Sequence, residues 1–238
     1  MLQLPTKETP ILCTELEHVT VHYIDQRTPE WYNLRCGRFT GTSCAKLLLG
    51  KESAKDKHVY DKAAERVTGE YCDGEEYENV HIKRGNEMET IARDLYIDDN
   101  ICAFLDLEVT TPGFVQAGEY LGYSPDGFVG TDGMIEIKAL DSNNHFRQVL
   151  EITTRGVDAI DPKHYLQMQF GMLICNRQWC DYVLYNAKHG ANRKELFIYR
   201  VLIDQVKQDI IRQTLEKRIM QLQILVDQYN TLDKTRFF

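Results

Sequence analysis

The reading of this chain turns on Ser124-Pro125-Asp126-Gly127, followed after a short turn by Met134-Ile135-Glu136-Ile137-Lys138. The second stretch alternates apolar and charged residues, and successive side chains of a strand point to opposite faces. Glu136 and Lys138 therefore share one face, and Ile135 and Ile137 the other. Pro-Asp-Gly is a turn signal in its own right, and an ion pair on a half-exposed strand would also account for Glu136 and Lys138. If Asp126 opens the preceding hairpin strand, its carboxylate lies beside Glu136, and two adjacent carboxylates repel unless a cation sits between them. Oxygen donors of this kind suit Mg2+ or Mn2+ rather than zinc. A neighbouring ammonium such as Lys138 can hold a water, lower its pKa or offset charge on a pentavalent phosphate. Together the three residues describe a site for metal-assisted phosphodiester hydrolysis.

Outward from this hairpin the pattern changes on both sides. Short strands are expected at 104–110, 118–123, 126–130 and 134–138, and again at 179–185 and 196–202. Before them, 30–49 reads as short helices broken at Gly37 and Gly41, 53–68 as a helix ending near Gly69, and 70–78 as an acidic loop. In 82–96 Met88, Ile91, Ala92 and Leu95 recur at helical spacing, with Glu87 and Glu89 off that stripe. Further helices are expected at 162–175 and 204–230. In the last, Ile211, Leu215, Ile219, Leu222, Val226 and Tyr229 form a stripe that faces either the core or a partner. Residues 1–25 read as an extended lead-in. This order implies an α/β (α+β) fold with a central mixed β-sheet flanked by helices. With no repeat or Gly/Ser linker, the 238 residues read as one domain.

Composition narrows the function classes. The 43% hydrophobic and 27% charged residues, with 6 Pro and 15 Gly, exclude collagen-like and broadly disordered chains. No apolar run is long enough to span a bilayer, and the N-terminus lacks the basic start and apolar stretch of a signal peptide, so a cytoplasmic location is expected. Seven cysteines, none separated by only two residues, argue against a disulfide framework or a zinc ribbon. The net charge of −8 hides a local imbalance between Trp31 and Arg66, where eight Lys/Arg stand against four acids. That excess fits either a phosphate footprint or a solvated helix face with mixed charges. His18 and His22 fall on one face of an expected strand with no third ligand nearby. Asn143-Asn144-His145 reads as a helix start, and no phosphate-binding P-loop or dinucleotide fingerprint occurs.

Pro-Asp, a spacer and Glu-X-Lys form the pattern of the PD-(D/E)XK nuclease superfamily, and the chain from Trp31 onward resembles the lambda-type exonuclease, or YqaJ viral recombinase, family. Four blocks carry the resemblance in order. They are Trp31-Tyr32-Asn33-Leu34-Arg35-Cys36-Gly37 with Thr40-Gly41-Thr42; Arg84-Gly85-Asn86-Glu87-Met88-Glu89 with Ala92-Arg93 and Tyr96; Ser124 to Lys138; and Tyr165-Leu166-Gln167-Met168-Gln169 with Trp179 and Tyr182. Ala139-Leu140 stand where the family often has Cys-Pro, and His164 rather than Tyr165 stands three residues before Gln167.

The resemblance implies a restriction-endonuclease-like core and a Mg2+-dependent 5′→3′ double-stranded DNA exonuclease, with Mn2+ able to substitute, that leaves 3′ tails for viral or prophage recombination. It implies Asp126 and Glu136 as metal ligands with the backbone carbonyl of Ile137, and Glu89 completing the set directly or through a water. Lys138 would position or activate the nucleophilic water, Gln167 would orient the nucleophile or a ligand, and Arg35 with Thr42 would hold the 5′-phosphate. Read from the residues alone, Glu89 also fits an exposed helix acid, Gln167 and Gln169 a polar helix face, and Arg35 a salt-bridge partner. The implied partners are double-stranded DNA ends, two further copies in a trimeric ring and a single-strand annealing protein, with no membrane. A structure- or sequence-specific endonuclease on the same core, and a non-catalytic DNA-end-binding protein, are the alternatives.

Overall fold

The computed structural model of the protein describes residues 11–71, 80–98, 107–192 and 194–232. Helices come first: α1 (Ile11–Glu17), then a short strand β1 (Val19–His22), α2 (Pro29–Arg35), α3 (Gly41–Leu49), α4 (Glu52–Thr68) and α5 (Val80–Asp98). Strands β2 (Val109–Thr110), β3 (Phe114–Ala117), β4 (Leu121–Tyr123), β5 (Gly127–Val129) and β6 (Gly133–Ala139) follow. Helices α6 (Ser142–Arg155) and α7 (Pro162–Cys175) lead into β7 (Trp179–Tyr185), β8 (Leu196–Leu202) and the long α8 (Gln205–Asn230). Local chemistry starts these helices where the sequence indicates. Thr28 accepts from the Trp31 N–H ahead of Pro29, and the Asp141, Asp161 and Asp204 carboxylates cap α6, α7 and α8.

Five strands pair in the order β2-β5-β6-β7-β8, antiparallel throughout except for β6 against β7. A parallel pair needs a crossover, and α6 and α7 supply it. One face of the sheet packs Met134, Tyr182, Leu184 and Val201 against helices α3, α7 and α8, while the other packs Ile135, Ile137 and Val183 against Ala92 and Tyr96 of α5. This is the expected α/β (α+β) fold with a mixed sheet flanked by helices. Because both faces are covered, β6 is buried from Gly133 to Ile137, and Glu136 is fully enclosed rather than half-exposed.

The structure departs from expectation mainly near the N-terminus. Where it is described, the expected extended lead-in holds α1, whose Ile11 and Leu12 N–H groups donate to the Glu216 carboxylate of α8 at 2.9 and 2.8 Å. It also holds β1, which joins β3 and β4 in a second, three-stranded sheet. The strand expected over 118–123 begins only at Leu121, because Gly118 turns the chain with a φ of +57°. The acidic loop lies almost wholly outside the described residues, as does the start of the strand expected at 104–110. On α8 the stripe faces the core through Ile211, Leu215, Ile219 and Leu222 and runs out into solvent at Tyr229. Among the described residues no helix is long and apolar enough to cross a membrane.

Candidate active site

Asp126 sits between β4 and β5, held from two sides. Its Oδ2 accepts from the Ile137 N–H at 2.6 Å, and its carbonyl accepts from Arg93 Nε of α5 at 2.7 Å. Glu136, on the neighbouring strand β6, accepts from the Tyr123 hydroxyl at 2.8 Å and from Lys138 Nζ at 2.5 Å. The shared face expected of Glu136 and Lys138 is thus realised as a direct contact. Two helices pack closely on the Tyr123 ring. A Cβ at Gly41 or at Gly171 would lie 2.8 or 2.5 Å from that ring. Glu89, one turn before Arg93 on α5, accepts from Arg93 Nη2 at 2.6 Å. Glu89, Arg93, Pro125 and Asp126 together line a cavity of about 240 Å3.

The electrostatics of this cluster are unbalanced. Burial raises the Asp126 carboxyl well above its ordinary range, and the Glu136 and Glu89 charges raise it further against the smaller opposing effect of Lys138. Burial works against the Lys138 ammonium, but Glu136 and Asp126 outweigh it and hold the proton on more tightly than usual. Lys138 is therefore a cation and hydrogen-bond donor here rather than a base. Burial, then Glu136, push the Tyr123 hydroxyl up, so it remains a donor. Beside Lys138, His164 Nδ1 lies 2.7 Å from the Tyr182 hydroxyl, and burial followed by the Lys138 charge lowers its pKa. Among the described residues no three His, Cys, Asp or Glu side chains form a ready-made metal cage. The donor chemistry nevertheless fits a hard divalent cation, since crowded carboxylates are oxygen donors of the kind that Mg2+ takes while keeping some of its waters.

Residues 30–178 match the YqaJ-like viral recombinase domain. The chain belongs to that family. No curated protein sequence matches it significantly. Among solved structures it is similar to an alkaline exonuclease from Laribacter hongkongensis, LHK-Exo. In complex with dAMP that protein superimposes at a TM-score of 0.71 with 27% identity, covering 85% of this chain and 96% of that one. A second LHK-Exo structure gives 0.70 and 26% with the same coverage. A phage-related exonuclease from Haemophilus somnus 129PT shares the fold at a TM-score of 0.52 with 17% identity, covering 84% and 98%.

Within this YqaJ-like domain the remaining expected site residues are placed as follows. Arg35 stacks on Trp31, its Cζ 4.1 Å from the ring centroid, and donates to Ser124 Oγ at 3.3 Å, two residues before Asp126. Its Nε is buried without a partner, and it makes no salt bridge among the described residues. Thr42 is exposed on the first turn of α3. Gln167 packs its Cγ toward Gly41 at the start of that helix. Gln169 plays a different part: fully buried, it donates to the Leu202 carbonyl at 2.8 Å and accepts from the Asp204 N–H at 2.9 Å, tying β8 to α8. Much of the local positive excess is also structural. Lys62 is buried against Glu65, Lys57 pairs with Asp61 and Arg66 with Glu119. His18 bonds the Thr14 carbonyl, and Asn143 to His145 do open α6.

Sequence reasoning did not single out Tyr123, Arg93 or the His164–Tyr182 pair as site residues. Tyr123 directly precedes Ser124, and Arg93 lies one turn from Glu89, so adjacency was the available signal.

Proposed function

We propose that this chain is a Mg2+-dependent exonuclease that degrades double-stranded DNA 5′→3′ and leaves 3′ single-stranded tails for strand-annealing recombination. The observation that carries the reading is the convergence of Asp126, Glu136 and Lys138, with Glu89 close by, at a point where carboxylates outnumber cations. A divalent ion held by Asp126, Glu136, the Ile137 carbonyl and Glu89, the last directly or through a water, would supply charge against the phosphate and lower the pKa of the attacking water. Lys138, kept protonated, donates to that water and to the scissile phosphate. The Tyr123 hydroxyl and the Ile137 N–H hold the Glu136 and Asp126 carboxylates in place. Arg35, stacked on Trp31 with one guanidinium nitrogen still unpaired, suits the 5′-terminal phosphate. Thr42 flanks that phosphate, and Gln167 orients the nucleophile. Similarity to LHK-Exo supports the exonuclease reading, and family membership supports the recombination role. A ring of three copies around the duplex, a single-strand annealing protein as partner and a host cytoplasm as location belong to the same reading.

The test compares nucleotide release from linear 5′-phosphorylated, linear 5′-hydroxyl and closed circular duplex, with Mg2+ or with EDTA. Loss of linear DNA alone, faster with the 5′-phosphate, with the 5′ label released first and only with metal, is expected. Cutting of the circle would identify an endonuclease instead, and no hydrolysis with any divalent metal would leave a DNA-end-binding protein.

A further inference from the structure

Across the cavity from Asp126 and Glu89 runs the segment between β1 and α2, and Asp25, Gln26 and Arg27 from it line that cavity. Arg27 adopts a φ of +67°, the left-handed region that an arginine enters at a cost and glycine enters freely. The turn itself is required. Thr28 must be extended both to precede Pro29 and to cap α2, and its hydroxyl donates back to the Asp25 carbonyl at 2.8 Å. Nothing in the turn requires a guanidinium. Arg27 is exposed and makes no side-chain hydrogen bond or ion pair among the described residues, whereas Arg93, the other arginine of the cavity, is spent on Glu89 and the Asp126 carbonyl.

The segment is also anchored to the turn that carries Asp126. Gln26 Nε2 donates to the Pro125 carbonyl at 3.3 Å, and Gly113 packs so tightly on the Ile24 carbonyl that a Cβ would lie 2.0 Å from it. Arg27 is thus held in register with Pro125-Asp126, as Arg35 is with Ser124. Strained backbone in a rigid setting, with an unengaged guanidinium on the same cavity as Asp126 and Glu89, is an arrangement suited to binding an anion there.

We infer that Arg27 is a substrate-positioning residue that pairs with a DNA phosphodiester neighbouring the scissile one. The inference rests on the nuclease reading, and the experiment separates the two. Wild type, Arg27→Ala, Arg27→Gly and Arg27→Lys are compared by anisotropy on a 5′-phosphorylated duplex in Ca2+, by steady-state hydrolysis in Mg2+ and by thermal melting. Loss of the guanidinium is expected to raise Kd and KM at least about tenfold with kcat falling less, and to flatten the log Kd against log salt slope by about one. Arg27→Lys should recover the salt slope. Arg27→Gly should melt about 2–4 °C higher while binding more weakly, and Arg27→Ala should not gain that stability. A single neutral methylphosphonate at the proposed phosphodiester should weaken wild-type binding about tenfold and Arg27→Ala binding no further. Unchanged affinity and salt slope in Arg27→Gly would show a turn residue and nothing more, overturning the inference. Arg27-dependent duplex binding with hydrolysis that is not end-directed would overturn the exonuclease reading and leave this one standing, and a wild type that neither binds nor cuts duplex overturns both.

Discussion

Among the described residues, two lysine–glutamate pairs have a fully buried glutamate, and they differ in what surrounds it. On α4, Lys62 Nζ contacts both oxygens of Glu65 at 2.8 and 3.0 Å, with side chains 1% and 0% exposed, and the Gly37 N–H completes the carboxylate at 2.6 Å. On β6, Lys138 contacts Glu136, also 0% exposed, but the lysine is 24% exposed and a second carboxylate, Asp126, lies within its electrostatic reach. The first pair is shut away from solvent, with the lysine in direct contact with both oxygens of its glutamate. The second has a further carboxylate acting on its lysine, and that lysine is partly open to solvent. Residue type and a fully buried glutamate are shared, so what distinguishes the two is the additional carboxylate and the lysine's access to solvent.

The largest effect should come from Glu136→Gln, which keeps shape and removes one charge. Hydrolysis of linear duplex should fall at least about a thousandfold while the melting temperature holds or rises, because a buried carboxylate that repels Asp126 is gone. A matching loss of stability would make Glu136 structural and collapse the contrast. Next, Lys138→Met should lower kcat about a hundredfold or more with KM much less affected, as expected of a group acting in the transition state. Lys62→Met reverses the pattern. It should cost about 3–5 kcal/mol in urea unfolding by stranding Glu65, yet leave activity per folded molecule intact.

The smallest effect concerns pH. Burial, with Glu136 and Glu89, lifts the Asp126 carboxyl in the folded protein above its ordinary value of 3.8. The folded state then binds that proton more tightly than the unfolded chain does. Its contribution is full below about pH 4 and is lost as pH rises toward the folded value. In EDTA, Asp126→Asn should therefore melt a few degrees above wild type at neutral pH, with a flatter pH dependence. Mg2+ should stabilise wild type and not the variant, and an equal response of both would remove Asp126 from the ligand set.

The sequence by itself determined what rests on neighbours along the chain. Alternation put Glu136 and Lys138 on one face, Asp161-Pro162 opened α7 where expected, and the stripe of α8 turned its first four members to the core, because strand period, caps and helix period are local properties. Only the tertiary structure decided which polar residues would be desolvated, and against what. It brought Tyr123 to Glu136, set Arg93 of α5 on the Asp126 carbonyl, separated the strut Gln169 from Gln167 two residues away, and closed Lys62 on Glu65. The covered second face of β6 made Glu136 a buried charge instead of a surface one. These outcomes depend on which distant elements pack together, and a carboxylate's chemistry follows from the water and charges that packing leaves around it.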